Sequence, residues 1–426
     1  MAKERLITGI DIGSSKISTI IANVTENKIS VLGVATVTSK GVRKGVIVDI
    51  DEAVEAISQS LEGAERMAGA AISSALITVN GSHITSFNSK GVVAVAHQDA
   101  EITPEDVSRV TEAAQAISIP NGKEVVHVVP REFVVDSQDG VRDPLGMSGI
   151  RLEVETNIIV GSSTAMKNLV KCVQQVGVGA QELVYTALAA SDAVMTDTEK
   201  ELGSILVDIG GGTTSIMVFA GGSPAYSSVI PIGAQNITND LAIGLRSSLE
   251  DAEKIKLKLS ESTALLARRN PLLSNWRSGQ EEENLESEID VSGMNFEVDK
   301  LPKKLLNDII KARLVEIFSL VSLEVKKSGW LGNLPAGLVL VGGGANTYGA
   351  ELAARSVMKL PVRVGYPAGV TGLIEEIGGP DFAAAVGLLV HGSRTVSQSR
   401  KFSLAPAGKI PQFFSKIVSW FKSFLP

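Results

Sequence analysis

The chain repeats itself once, and that repeat restricts its folding more than any other feature. Residues 5–21 read RLITGIDIGSSKISTII and residues 202–218 read LGSILVDIGGGTTSIMV. Each is an apolar strand, an Asp-Ile-Gly, a turn of small polar residues and a second β-rich run. Asp11 matches Asp208, Gly13 matches Gly210 and Lys16 matches Thr213, at a constant offset of 197 in a chain of 426 residues. The economical reading is two α/β lobes built on one plan, each opening with a β-hairpin. A third apolar strand ends in a third glycine turn, LVLVGGGAN at 338–346.

Between these landmarks strands and helices alternate. Residues 51–68 and 164–176 have helical spacing, 75–79 reads as a strand, and Thr103-Pro104-Glu105 opens a helix over 104–117. The first lobe is expected at 1–82 and 163–201, interrupted at 83–162 by an inserted α/β subdomain. The second lobe is expected at 202–245 and 326–364, interrupted by a largely helical insertion at 246–325 that carries a polar loop around 274–290. Residues 365–391 return to the first lobe. Residues 392–408 are Ser-, Pro- and base-containing and read as a flexible linker before a terminal segment at 409–426.

Composition narrows the class. Hydrophobic residues are 44% and charged residues 20%, which supports a large core and excludes global disorder. A net charge of -7 argues against a nucleic-acid binder. Cys172 and four His leave little for disulfides or zinc. The opening MAKERLITGIDIG has no signal-peptide pattern and no run of 18 apolar residues occurs, so a cytosolic globular protein is expected.

The turns point to phosphate chemistry. Consecutive backbone N–H groups in a small-residue turn can surround phosphate oxygens, and glycine permits the close approach. The first turn offers Gly13, Ser14, Ser15 and Lys16, the second Gly210, Gly211, Gly212, Thr213 and Thr214, and the third Gly342, Gly343 and Gly344. Lys16 would supply a point positive charge. Asp11 and Asp208, one from each lobe, would hold Mg²⁺ through water, because Mg²⁺ takes oxygen ligands and keeps its hydration. Neither the Walker loop nor the Rossmann fingerprint is present.

With GIDIGSSK (9–16), VDIGGGTT (207–214), LVLVGGGAN (338–346), VYTALAASDAV (184–194) and PDFAAAVGLLV (380–390), the sequence resembles the actin-like ATPase superfamily. Within it the chain looks like the FtsA family of bacterial cell-division proteins. The resemblance spans residues 5–425. It implies an actin-like (ribonuclease-H-like) two-lobed fold with ATP and Mg²⁺ in the cleft between the lobes. Asn346 then belongs to the third nucleotide motif, and LEDAEKIK (249–256) would carry Glu253 and Lys256 over as base and ribose contacts. One departure matters. Thr186 stands where bacterial actins of the cell-shape class carry a Glu that orients the attacking water, so hydrolysis is expected to be slow or negligible, with no confident catalytic residue.

The last 18 positions hold five of the 18 aromatic residues. On a helix of 100° per residue, Ile410, Phe413, Phe414, Ile417, Val418, Trp420, Phe421, Phe424 and Leu425 fall within an arc of about 160°. Lys416 and Lys422 lie opposite. An aromatic face with a basic back and no acid fits a helix lying in an anionic membrane interface. The family resemblance adds partners: self-assembly into filaments, the FtsZ C-terminal peptide, other division proteins and the cytoplasmic face of the membrane at the division site. Lys303, Lys304 and Arg313 on KKLLNDIIKAR (303–313) are candidate FtsZ-peptide contacts, or simply a solvated face. Two alternatives remain open: an adaptor like the pilus-assembly relative PilM, and a sugar-kinase-type phosphotransferase. Neither needs a lipid-binding tail.

Overall fold

The computed structural model describes residues 5–25, 28–95, 101–269, 288–294, 296 and 299–402. The two matching stretches form matching hairpins. Arg5–Ile12 pairs antiparallel with Lys16–Thr25, and Ser204–Ile209 pairs antiparallel with Thr214–Ala220. Even the register repeats: Asp11 faces Ser18 and Asp208 faces Ser215. Gly13 N–H donates to the Lys16 carbonyl at 3.0 Å and Gly210 N–H to the Thr213 carbonyl at 2.9 Å, so the two turns close the same way.

Both sheets continue on one plan. In the first lobe the order is Gly179–Tyr185, Ser74–Val79, Arg5–Ile12, Lys16–Thr25, Lys28–Thr38, with Val370–Gly372 at the edge. In the second, Val362–Val364, Leu338–Val341, Ser204–Ile209, Thr214–Ala220 and Ser223–Ile230 follow the same sequence of parallel and antiparallel neighbours. Ser204–Ile209 is buried along its whole length, as a central strand covered on both faces must be.

Helices cover the sheets and are punctuated locally. Ile50–Ala68 begins where the Asp49 carboxylate accepts from Glu52 N–H and ends at Gly69, whose φ of 66° suits a left-handed cap. Pro104–Gln115 opens with a reciprocal cap between Thr103 and Asp106 and stops two residues before the predicted end. Ser163–Gln175 and Thr186–Val194 follow in the first lobe, and Ala234–Leu245, Leu249–Arg269 and Lys303–Lys327 in the second. The small sheet Glu288–Asp290 with Lys300–Pro302 lies between the last two.

The inserted subdomain has its own apolar cluster, including Val95, Ile102, Val110, Phe133 and Leu152. Its strands extend the second lobe's sheet through Thr85–Ala94, Arg151–Ser162, Lys123–Val135 and Gln138–Val141 to nine strands. Sequence reading attached this insertion to the first lobe and did not anticipate the shared sheet.

Two helices link the lobes, Thr186–Val194 and Ala383–Phe402. Ala187, Ala189, Ala190, Ala383 and Ala385 are buried there, and small side chains let the backbones cross closely. At the crossing a Cβ on Gly387 would lie 1.9 Å from the Ala189 carbonyl oxygen.

The second helix also corrects the linker. Residues 392–402, expected to begin a flexible tether, continue it. Gly392, the first residue of the expected linker, is a close approach: a Cβ there would meet Leu76 at 2.6 Å. His391 lies 3.1 Å from Asp192 and 3.4 Å from Glu182, and Arg394 donates to Asp192 at 2.6 Å. Burial disfavours the charged His391, but the two carboxylates outweigh it and lift the imidazole to about 9. The remainder of the expected linker and the whole terminal segment, with its proposed membrane face, lie outside the described residues.

Gly387→Ala should therefore destabilise the chain by about 3 kcal/mol, the upper end of ordinary overpacking. A clearly lowered thermal midpoint in circular dichroism is the expected outcome, and an unchanged one contradicts the close crossing.

Candidate functional site

The hairpin turns, the third glycine turn and the start of Leu249–Arg269 enclose a cavity of ≈ 610 Å³ between the lobes. That is the size of a small-molecule site. It brings together Asp11, Gly13, Ser14, Ser15, Lys16, Asp208, Gly210, Gly211, Thr213, Glu253, Lys256, Gly342, Gly343, Gly344 and Asn346. Two sequence candidates fall outside its lining. Thr214 is buried and its hydroxyl donates to the Ile232 carbonyl at 2.8 Å. Gly212 is also buried, and packs on Ser14 and Lys44.

The lobes meet at these turns. A Cβ on Gly211 would meet Ser15 Cβ at 2.7 Å, and one on Gly212 would meet Ser14 Cβ at 3.1 Å. The third turn is more tightly constrained. Gly342 has φ 84°, and a Cβ there would stand 2.2 Å from Asp208 Oδ1. Only glycine serves at that position.

Asp11 is held by a residue the sequence did not single out. Thr78 Oγ1 donates to Asp11 Oδ1 at 2.8 Å and accepts from Ile12 N–H at 3.0 Å. Burial raises the Asp11 carboxyl, only partly offset by Thr78 and Lys16. Burial, then the charge of Asp11, pushes Asp208 up to about 7. Two buried carboxyls with raised proton affinity, one of them raised further by the charge of the other, suit a shared cation.

Lys16 is engaged. Its ammonium lies 2.5 Å from Asp381 Oδ2 and 3.5 Å from the centroid of the Phe382 ring. Asp381 also accepts from Asn346 Nδ2 at 3.5 Å, which ties the first turn to the third. Sequence reading missed Asp381 because it precedes the return helix, 365 residues from Lys16. It missed Asn80 likewise: this amide donates to Thr213 Oγ1 at 3.2 Å and accepts from Ser215 Oγ at 3.0 Å, spanning the lobes.

Glu253 and Lys256 line the cleft but pair with each other at 2.7 Å, and both bond to the Thr238 hydroxyl. Thr186 lines the cleft and its hydroxyl donates to the Val79 carbonyl at 3.2 Å. Arg313, read as a candidate peptide contact, grips Asp240 with two nitrogens at 2.5 and 2.8 Å and also pairs with Glu316 at 2.5 Å. It is a structural ion pair; among the described residues, Lys303, Lys304 and Lys311 of that segment carry no ion pair.

Residues 81–160 match the model described as the SHS2 domain inserted in FtsA, and residues 205–387 match the model described as cell division protein FtsA. The cell division protein FtsA of Borreliella burgdorferi is 38% identical over 98% of this chain and 98% of that protein. The chain belongs to the FtsA family. FtsA of Pseudomonas aeruginosa is 37% identical, covering 94% of this chain and 92% of its own. The Escherichia coli K12 FtsA is 29% identical over 98% of both chains.

Solved structures agree on the fold. The PilM–PilN type IV pilus biogenesis complex matches with a TM-score of 0.61 at 15% identity, covering 91% of this chain and 98% of that one. MreB5 of Spiroplasma citri bound to ADP matches with a TM-score of 0.53 at 13% identity, covering 93% and 98%. The fold is the actin-like one that FtsA proteins share, and this chain is a cell-division protein.

The raised carboxyls set a pH dependence. In metal-free buffer the unfolded chain releases these protons near pH 4, whereas the folded chain retains that of Asp208 until about 7. Native stability therefore falls as pH rises through that window. Asp208→Asn should flatten the slope and raise the thermal midpoint at pH 8, a gain of about 1–3 kcal/mol. Melts at pH 5 and pH 8 measure it, and an identical slope in the variant contradicts the assignment.

Proposed function

We propose that the cleft binds ATP with Mg²⁺ and that this FtsA-family chain assembles on the cytoplasmic face of the membrane at the division site. There it tethers FtsZ filaments through their C-terminal peptide and recruits other division proteins. The observation that carries the reading is the facing pair, Asp11 and Asp208, set beside three glycine turns in one cavity.

Asp11 and Asp208 would hold Mg²⁺ through water, and the bound ion would neutralise phosphate charge. The turns would offer N–H groups to phosphate oxygens. Lys16 would reach a phosphate by leaving or sharing Asp381. Glu253 and Lys256 would contact base and ribose after giving up part of their mutual pairing.

Hydrolysis is proposed to be slow. Thr186 has no carboxylate with which to take a proton, and its hydroxyl hydrogen already goes to Val79. Nucleotide then acts chiefly as a conformational and assembly ligand. Residues 409–426 would fold as an amphipathic helix on anionic lipid, weakly as a single helix. Many subunits in one filament would hold firmly, because each later helix binds at high effective concentration. Lys303 and Lys304 remain candidates for an acidic stretch of the FtsZ peptide.

Co-sedimentation with anionic liposomes tests this reading. The full chain should pellet, and more so with Mg-ATP. A truncation ending at Gly408 and the variant Trp420→Glu should both stay in solution while still binding ATP. Pelleting by the truncation would refute the membrane helix. Full chain and truncation both staying soluble would favour an adaptor without its own lipid anchor.

A further inference from the structure

The nine-stranded sheet is not equally strong across its width. Within the inserted subdomain, Arg151–Ser162 pairs with Thr85–Ala94 over ten residue pairs. Within the second lobe, Thr214–Ala220 pairs with Ser223–Ile230 over seven. Between the two bodies, Ser223–Ile230 meets Thr85–Ala94 through one pair among the described residues, Ser228 opposite Thr85.

Side chains patch this seam, and they are polar. Ser227 N–H donates to Ser86 Oγ at 2.7 Å, and Asn157 Nδ2 donates to the Ala225 carbonyl at 3.3 Å. Asn157 Oδ1 and Ser227 Oγ are buried there with no hydrogen-bond partner among the described residues. The Arg131 guanidinium of the insertion, which pairs with Glu155, lies 5.6 Å from the ring centroid of the second lobe's Trp330, and its Nε is likewise buried with no hydrogen-bond partner among the described residues. Each such orphan disfavours the closed seam while it stays dry. Opening the seam breaks one backbone pair and the polar side-chain contacts just named, whereas opening either sheet half breaks seven pairs or more.

The seam is also wired to the cleft. The fully buried Tyr185 shares its hydroxyl hydrogen between the carbonyls of Ile216 at 3.2 Å and Ser228 at 3.1 Å. Tyr185 immediately precedes the connecting helix Thr186–Val194, whose first residue lines the cavity. On the second-lobe side, Glu324 accepts from the hydroxyls of Tyr226 at 3.1 Å and Ser228 at 3.2 Å, anchoring the strand to Lys303–Lys327.

We propose that the seam is a separable joint. The inserted subdomain swings off the second lobe at the Ser228–Thr85 pair while both halves of the sheet stay whole, and Tyr185 holds the joint to the helix that enters the cleft. The subdomain can then change orientation without unfolding. The proposal concerns the free chain and needs no ligand in the cavity.

Amide hydrogen exchange in the ligand-free full chain tests it. The Ser227 amide, whose partner lies across the seam, should exchange about 100-fold faster than the amides of Val154–Ile159 within the inserted sheet, as local opening does relative to a sheet interior. Tyr185→Phe should speed Ser227 further and leave Val154–Ile159 unchanged. A pair of cysteines, Thr85→Cys with Ser228→Cys, stands opposite in an antiparallel ladder, within disulfide reach. The native Cys172 is buried, so oxidation should join the new pair and slow Ser227 about tenfold, reversibly on reduction. A Ser227 amide as protected as Val154–Ile159, or unmoved by both Tyr185→Phe and the cross-link, overturns the joint.

Discussion

The crossing of the two connecting helices at Gly387 and Ala189 is the contact on which the rest of the molecule depends. Each lobe has its own sheet and could bury its own apolar side chains, but neither lobe alone has a cleft. The crossing sets how far apart the two hairpins stand. Because alanines line it, the helices approach at backbone distance, and the hairpin turns then touch through Ser14, Ser15, Gly211 and Gly212. A bulkier crossing would separate the turns and part Asp11 from Asp208. A packing constraint far from the chemistry thus determines whether a shared site exists.

The site works against the stability of the fold that holds it. Two carboxyls driven up by burial, Asp208 also by the charge of Asp11, are unfavourable when ionised, and the close packing at Gly342 leaves Asp208 no room to retreat. Large apolar clusters on either side offset that cost, with side chains such as Ile10, Ile20, Ile77 and Phe318 fully buried and contributing about 1.5–3 kcal/mol each. A pocket that is strained when no cation neutralises it gains most from a ligand that brings one. On the proposed reading, Mg²⁺ arriving with nucleotide would relieve the repulsion that Asp11 exerts on Asp208.

Much of this was legible in the residues. The hairpins, their turns and the two aspartates repeat at one offset, and turn chemistry is local, so Asp11, Asp208 and the glycines could be read directly. Helices such as Ile50–Ala68 announce themselves by spacing. What escaped were residues whose role comes from distant neighbours. Thr78 and Asn80 end an ordinary strand and matter only because the hairpins lie beside them. Asp381 gains its meaning from Lys16, and Arg313 loses its apparent freedom to Asp240 on another helix. Gly392, read as the start of the linker, packs against Leu76 within the return helix. The sheet shared by the insertion and the second lobe leaves no trace in sequence order, because its joining pair, Thr85 and Ser228, is separated by the rest of the insertion, residues 163–201 of the first lobe and the first hairpin of the second.

Rapid mixing of labelled ATP with the full chain, with and without Mg²⁺, tests the central claim most directly when bound nucleotide and released phosphate are followed in the same sample. The account predicts one nucleotide bound per chain, binding at least about tenfold tighter with Mg²⁺ (about 1.4 kcal/mol), and phosphate appearing far more slowly than nucleotide binds. Absence of Mg²⁺-dependent binding would contradict the shared-cation cleft. Phosphate release as fast as binding would contradict the assignment of nucleotide as a conformational ligand.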